Sequence, residues 1–213
     1  MGIEKLNRIN DHAAWALWRI TEPMDELRGI FPLPESGKRE IDQISNKYKQ
    51  LEWLAGRLCI QRLLLHFNHS FEGLYKDEYG KPYLNNHAAH ISIANSYPFA
   101  AAIINFREPV GIDMEEPKPK LKKVAHKFLN ESEQHAASDD VDQLCVYWCA
   151  KECLYKIHGR KQLSFKANMY IHPFSLVQRQ HKQIQGRVIV KEEEEDHLFR
   201  VATVNNHYII FSI

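Results

Sequence analysis

Glu152 and Lys156 stand four residues apart in Val141 to Lys156, a stretch without Pro or Gly whose apolar residues recur at helical spacing. At about 100° per residue, Leu144, Tyr155, Trp148, Val141, Cys145 and Cys149 fall within one arc, while Asp142, Gln143 and Ala150 lie outside it. Glu152 and Lys156 fall inside that arc. Burying a carboxylate or an ammonium is unfavourable unless it is paired or binds an ion. The simplest partner for each is the other, as an i,i+4 salt bridge at the edge of the buried face. A second pair of carboxylates offers more. In Val110-Gly-Ile-Asp-Met-Glu, a strand alternates its faces, so Gly111, Asp113 and Glu115 share one side and Ile112 and Met114 the other. Two carboxylates on one strand face repel unless a cation lies between them, and hard cations such as Mg²⁺ take oxygen ligands. Asp113, Glu115 and Glu152 are therefore three carboxylates able to converge on one ion, against the alternative of a solvated acidic edge.

Several elements must position these groups. Ile3 to Ile9 and Ala13 to Ile20 read as strands joined at Asn10-Asp11, and Thr21-Glu-Pro-Met-Asp-Glu-Leu as a short helix with Pro in its first turn. Phe31 to Gly37 reads as a loop. The apolar spacing from Ile41 to Phe67 predicts one long amphipathic helix, with Arg57 and Arg62 solvated or salt-bridged. His90 to Ser96 and Phe99 to Phe106 are strands, and Arg107-Glu108-Pro109 turns the chain into the Asp113 strand. Lys118, Lys120, Lys122, Lys123 and Lys127 follow on a proline-stiffened loop and a basic amphipathic helix: a solvated face by default, or a docking surface for an acidic partner. Asn130 to Asp140 is a polar connection, with Ser138 or Asp139-Asp140 available to cap the Glu152 helix. Met169 to Ile171 and three further strands, Gly186 to Val190, Leu198 to Val204 and Tyr208 to Ile213, form an antiparallel meander. Glu192 to Asp196 reads as a solvated connection, and Asn205-Asn206 as the last tight turn.

The whole chain narrows the classes. Its 213 residues, 44% apolar and 26% charged, suit a globular protein with a real core. A net charge of +1 gives no field directed at nucleic acid or membrane, and no apolar run approaches the ~20 residues that span a bilayer. The N-terminus has no apolar signal core. The four cysteines, three of them in the Glu152 helix, suit free, buried thiols in a reducing cytoplasm more than a disulfide framework or a thiolate metal site.

Tyr79-Gly-Lys-Pro adds a further candidate. Gly80 and Pro82 fix a turn around Lys81, which is either plain surface or an ammonium presented to a phosphate.

Val110-Gly-Ile-Asp-Met-Glu followed by Trp148-Cys-Ala-Lys-Glu-Cys-Leu-Tyr-Lys resembles the paired signature of the 4′-phosphopantetheinyl transferases, with Cys153 where a small Ala or Ser is usual. Tyr79-Gly-Lys-Pro resembles the family's upstream turn. Length and plan are similar to the monomeric, surfactin-synthetase-activating branch. The resemblance implies an α+β fold of two similar α/β subdomains related by pseudo-twofold symmetry, each a long helix packed on a small, mostly antiparallel sheet, residues 1–106 and 107–213. It implies transfer of 4′-phosphopantetheine from coenzyme A to a serine of an apo acyl or peptidyl carrier protein, with Mg²⁺, releasing adenosine 3′,5′-bisphosphate. By resemblance Asp113, Glu115 and Glu152 are metal ligands, and Glu152, or a water it orients, takes the serine proton. Lys156 contacts phosphate and stabilises the leaving group. Lys151 binds phosphate or the metal-site carboxylates, and Trp148 packs. Lys81 and Ser96 match positions that hold the nucleotide end of coenzyme A, with Lys38 or Arg39 in the same role. Ser92-Ile-Ala-Asn-Ser96 departs from the pattern: Asn95 stands where a coenzyme-A-contacting His is expected, and it keeps hydrogen bonding but not charge.

Two other readings fit the same residues. One is a non-catalytic or weakly active homologue that binds coenzyme A or a carrier protein. The other is a different Mg²⁺ enzyme, such as a nuclease, which the neutral charge disfavours.

Overall fold

The computed structural model describes residues 2–31, 33, 35–159, 163–176 and 183–213. The chain divides into two units, Met1–Pro109 and Val110–Ile213. The boundary falls after Pro109 rather than after residue 106, because Asn105 Oδ1 accepts the backbone N–H groups of Arg107 (2.8 Å) and Glu108 (3.2 Å) and ties the turn to the strand before it.

In the first unit, β1 (Ile3–Asn10) and β2 (Ala13–Arg19) form the expected hairpin. The helices α1 (Met24–Ile30), α2 (Glu35–Asp42) and α3 (Lys47–His66) follow, then a small hairpin, β3 (Leu74–Lys76) and β4 (Pro82–Leu84), then β5 (His90–Ser96) and β6 (Phe99–Asn105). The main sheet is antiparallel in the order β1-β2-β6-β5. Ala14, Ala16, Trp18, Ala100, Ala102 and Ile104 form a core with Leu54, Leu58, Cys59 and Leu63 of α3.

The sequence predicts one helix from Ile41 to Phe67, and the structure breaks it. Asn46 caps α3, its side chain accepting from the N–H groups of Tyr48 (2.9 Å) and Lys49 (3.2 Å). A side-chain acceptor there satisfies amides that the helix start leaves orphaned. The expected loop at Phe31 to Gly37 runs into α2 from Glu35, while Pro32 and Pro34 lie outside the described residues.

In the second unit, β7 (Ile112–Glu115) precedes α4 (Lys120–Phe128), α5 (Glu131–Ala137) and α6 (Val141–His158), then β8 (Met169–Ile171), β9 (Gln183–Val190), β10 (Glu193–Val204) and β11 (His207–Ser212). The sheet is antiparallel, in the order β7-β11-β10-β9-β8. α6 packs on it through Leu144, Cys145, Cys149, Cys153 and Leu154, against Phe199, Tyr208 and Ile210.

Two expectations change in this unit. The polar connection holds a helix, α5, closed by a capping box between Asn130 and Glu133. The acidic run is mostly strand: the turn is Lys191-Glu192, both at positive φ, and Glu193 to Asp196 continue β10. Arg187, directly opposite Asp196 in the ladder, bonds it at 2.6 and 3.0 Å and also pairs with Glu194. A facing cation relieves the repulsion that marked this segment as a loop. Asn205-Asn206 does form the last turn, with Asn205 at φ 47°.

Each unit therefore sets one long helix on an antiparallel sheet, an α+β composition in which antiparallel pairing predominates.

Candidate active site

Asp113 lies on β7 and Glu152 and Lys156 on α6. Asp140 caps α6, accepting from Asp142 (2.8 Å) and Gln143 (3.2 Å), and Gly159 closes it at φ 70°. On β7 the burial alternates as the strand period requires: Ile112 and Met114 are buried, Asp113 and Glu115 half-buried.

Gly111 explains how closely α6 approaches β7. A Cβ placed there would meet the Cys153 carbonyl oxygen at 2.4 Å, inside any tolerable contact. Its lack of a side chain lets β7 run against the α6 backbone. Cys153 strengthens the packing as a small buried residue whose thiol donates to the Ile210 carbonyl at 3.0 Å. All four cysteines are free and buried.

With the helix this close, Lys156 Nζ donates to Asp113 Oδ1 (2.7 Å) and to the Ile112 carbonyl (2.8 Å). Burial acts to lower its pKa, but the Asp113 carboxylate outweighs that and holds Lys156 above its usual value. Glu152 goes the other way. Burial first, and then the charge of Asp113, push its carboxyl up to about 7, with Lys156 pulling against them. One ammonium thus stands beside two carboxylates close enough to repel. That is the electrostatic condition a divalent cation relieves.

Glu115 shares the strand face but turns to its own neighbours. Its Oε1 accepts from the Glu116 N–H (3.2 Å) and lies 3.9 Å from Lys118 Nζ. Among the described residues no group of three or more His, Cys, Asp or Glu side chains is gathered to hold a metal. The expected three-carboxylate convergence is thus a close pair, Asp113 and Glu152, with Glu115 nearby on the same face. Mg²⁺ commonly takes one or two carboxylates and completes its shell with water and substrate phosphate, so the pair still fits it.

Lys151 departs from expectation. Its side chain is fully buried and its ammonium meets Glu133 Oε2 (2.5 Å) and the carbonyls of Phe128 (2.8 Å), Phe165 (2.9 Å) and Met169 (2.9 Å). Glu133 is equally buried and also accepts the backbone N–H of Asn130 (2.9 Å) and Ile171 (2.8 Å). An ammonium has three protons to donate, and all are engaged inside the core. Lys151 therefore cross-links α4, α5, α6 and β8 and does not reach a phosphate. Ala150, outside the apolar arc, is also fully buried; α4 packs on α6 in addition to the sheet. Trp148 packs edge-on against Phe128 at 5.1 Å between ring centres.

In the first unit, Lys81 sits in the β3–β4 turn. Asp77 Oδ1 accepts the N–H groups of Tyr79 and Lys81, both at 2.9 Å, and Gly80 takes φ 88°. Burial lowers the Lys81 pKa while Asp77 opposes it. Ser96 is buried at the end of β5, and Asn95 beside it is exposed. With its amide nitrogen turned towards them, Asn95 donates to the carbonyls of Ala94 (2.9 Å) and Glu52 (3.1 Å).

Asn95 and Pro82 line a cavity of about 420 Å³ with Lys49, Glu52, Trp53, Arg57 and Lys76. Lys38 is not among its walls: it pairs with Glu35 at 2.6 Å and lines a separate cavity with Arg28 and Asp42. Arg39 is exposed on α2. Arg57, expected to be solvated or salt-bridged, is salt-bridged to Glu40 at 3.1 Å; it is also buried and lies 3.3 Å over the centre of the Trp53 ring. Burial brings its pKa down to about 10, against the pull of Glu40.

Sequence reasoning missed Glu133 and Glu52, both buried carboxylates. Asn130-x-x-Glu133 is a capping-box spacing and gave a signal for the first. Glu52 has no such signal, since its burial comes from the β5–β6 turn, where the Tyr97 N–H donates to it at 2.8 Å.

No curated protein compared with the chain matches it significantly. The model of the 4′-phosphopantetheinyl transferase superfamily matches residues 109–210. Asp113, Glu152 and Lys156 all lie within the residues that match the 4′-phosphopantetheinyl transferase superfamily model.

Proposed function

We propose that this protein transfers 4′-phosphopantetheine from coenzyme A to a serine of an apo acyl or peptidyl carrier protein, as a monomeric enzyme of the surfactin-synthetase-activating type. The observation that carries this reading is the Asp113–Lys156 ion pair with Glu152 beside it, inside the superfamily domain. Lys156, kept protonated by Asp113, meets the charge that grows on the leaving phosphate. Glu152, with a carboxyl near neutrality, takes the proton of the attacking serine directly or through water. Asp113 and Glu152 would hold Mg²⁺, with Glu115 as a further oxygen donor on the same strand face. When bound, the ion neutralises pyrophosphate charge. Lys81 and Ser96 contact the nucleotide end of coenzyme A. Lys151 is left out of the machinery because its protons are already engaged.

The exposed basic side of α4, Lys120, Lys122, Lys123 and Lys127, suits an acidic carrier, since complementary charge sets encounter and orientation. Neither nucleic acid nor membrane is a partner in this reading; among the described residues no helix is long and apolar enough to cross a bilayer. The free thiols suit the reducing cytoplasm.

The test combines the protein with coenzyme A, Mg²⁺ and apo carrier proteins, then measures carrier mass. A gain of one phosphopantetheine group is expected. A second reading, a homologue that binds without turnover, draws on Asn95, whose amide protons are taken by backbone carbonyls. Tight coenzyme A binding with no mass gain on fatty-acid, polyketide or peptide-synthetase carriers selects that second reading.

A further inference from the structure

Two imidazoles that the transfer reading does not use meet in the first unit, past the C-terminal end of α3. His69 and His87 come from different loops, and their ring centres lie 4.5 Å apart with the planes at 73°. The backbone fixes both loops. Asn68 takes φ 62°, and the His69 N–H then donates back to the Leu64 carbonyl at 2.9 Å. The His87 loop, between β4 and β5, is tied to the His69 loop. Asn85 donates through its backbone N–H to the Gly73 carbonyl (3.2 Å) and through its side chain to the Glu72 carbonyl (2.9 Å). The Asn86 side chain donates to the Ser70 carbonyl at 3.5 Å. The Phe106 ring packs 4.9 Å from His69 and 6.5 Å from His87, centre to centre.

Packing accounts for the contact between the rings but not for the polar atoms around it. Among the described residues no hydrogen bond or ion pair reaches either imidazole. In the residue before His87, Asn86 Oδ1 is buried and has no hydrogen-bond partner among them. A buried acceptor left without a donor is the kind of group that an ion or a water satisfies. Imidazoles and an amide oxygen are a donor set that late transition ions take. A metal held about 2.1 Å from an imidazole nitrogen lies roughly 3.2 Å from the ring centre. Two rings at the observed separation therefore subtend about 90° at a shared ion, the angle of a cis pair in a tetragonal shell and narrower than the tetrahedral angle of Zn²⁺.

We propose that His69 and His87 form a binding site for a tetragonal divalent ion, Cu²⁺ or Ni²⁺, with Asn86 Oδ1 or water completing the shell. The bound ion staples the loop after α3 to the loop between β4 and β5. No hydrogen bond within the protein has to break to admit it. The site stands apart from the transfer reaction and does not rest on it.

The experiment titrates the full-length protein with Cu²⁺, Ni²⁺ and Zn²⁺ by calorimetry and reads the first equivalent of Cu²⁺ by electron paramagnetic resonance. One equivalent of Cu²⁺ is expected, with an axial spectrum coupled to two imidazole nitrogens and with Zn²⁺ bound at least tenfold more weakly. His69→Gln and His87→Gln should each weaken that equivalent at least tenfold, while His126→Gln, on the exposed side of α4, leaves it unchanged. Unchanged affinity in either of the first two variants overturns the site. So does a spectrum without two imidazole nitrogens, Zn²⁺ bound as tightly as Cu²⁺, or binding that appears only at millimolar ion and is adventitious. Should a variant melt well below the wild type, the wild-type protein decides alone. Both rings are half-buried and so within reach of diethyl pyrocarbonate. One equivalent of Cu²⁺ should suppress modification of His69 and His87, read by peptide mass, and leave His126 modified. Protection of only one of the pair, or of neither, overturns the inference.

Discussion

Two lysines on α6, five residues apart in the chain, meet opposite environments. Lys151 is sealed in the core, with Glu133 and three carbonyls around its ammonium. Lys156 is partly exposed, paired with Asp113, and shares its surroundings with a second carboxylate, Glu152, whose pKa is driven up to about 7. In the first set every donor and acceptor is matched, which fixes structure. In the second, an excess carboxylate is held next to another and the imbalance persists in the folded protein. Folding keeps such an imbalance only where the surroundings impose it, and Gly111 imposes this one by letting β7 lie against α6. Perturbed groups of this kind mark functional sites more often than matched ones.

The contrast breaks most sharply at Lys151. Lys151→Met should cost about 3–5 kcal/mol in urea unfolding, because it leaves Glu133 buried and unpaired, whereas Lys156→Met should abolish transfer at a smaller cost in stability, since that pair is partly exposed. If Lys151→Met unfolds like wild type while losing activity, the two roles are reversed. Glu152→Gln comes next. It keeps the shape and removes the charge, so transfer should fall about a hundredfold or more, and surviving activity would remove Glu152 from the chemistry.

The same variant sharpens the electrostatic side. The Glu152 carboxyl is raised in the folded, metal-free protein. Its contribution to stability is therefore complete below the unfolded carboxylate value and is lost as pH rises through about 7. Glu152→Gln has no such loss. Its melting temperature relative to wild type should therefore increase from pH 5 to pH 8, a gain on the order of 2 kcal/mol at most. A difference that does not change with pH would show that Glu152 is not strained.

Gly111→Ala tests the cause of that strain and should destabilise by about 1–3 kcal/mol as the helix is pushed off the strand. Full stability with full activity would mean that the close approach is unimportant. The smallest effect is expected at the rim. Reversing Lys120 and Lys123 to Glu should raise the KM for an acidic carrier several-fold and leave that for coenzyme A unchanged, and an unmoved carrier KM leaves the lysines a solvated face.

Much of this was legible in local pattern. Strand alternation put Asp113 and Glu115 on one face, and helical spacing put Glu152 and Lys156 on one arc, because both periods are properties of the backbone. The paired motifs matched a family that the comparison with residues 109–210 supports. Where one strong local feature competes with a longer pattern, the pattern misled: Asn46 splits a helix that apolar spacing made continuous, and Arg187 draws the acidic run into a strand.

The sequence by itself determined which residue types stood at which phase of each element, and so which charges had to find partners. It did not determine which partner each one found. Lys151 and Lys156 are both lysines of one helix, and only packing decided that Glu133 closes over the first while β7 brings Asp113 to the second. The same holds for Glu52, whose burial depends on a turn distant in the chain. Propensity and periodicity act between residues a few positions apart, whereas the pairing of buried charges is set by long-range contacts and by how much water those contacts exclude.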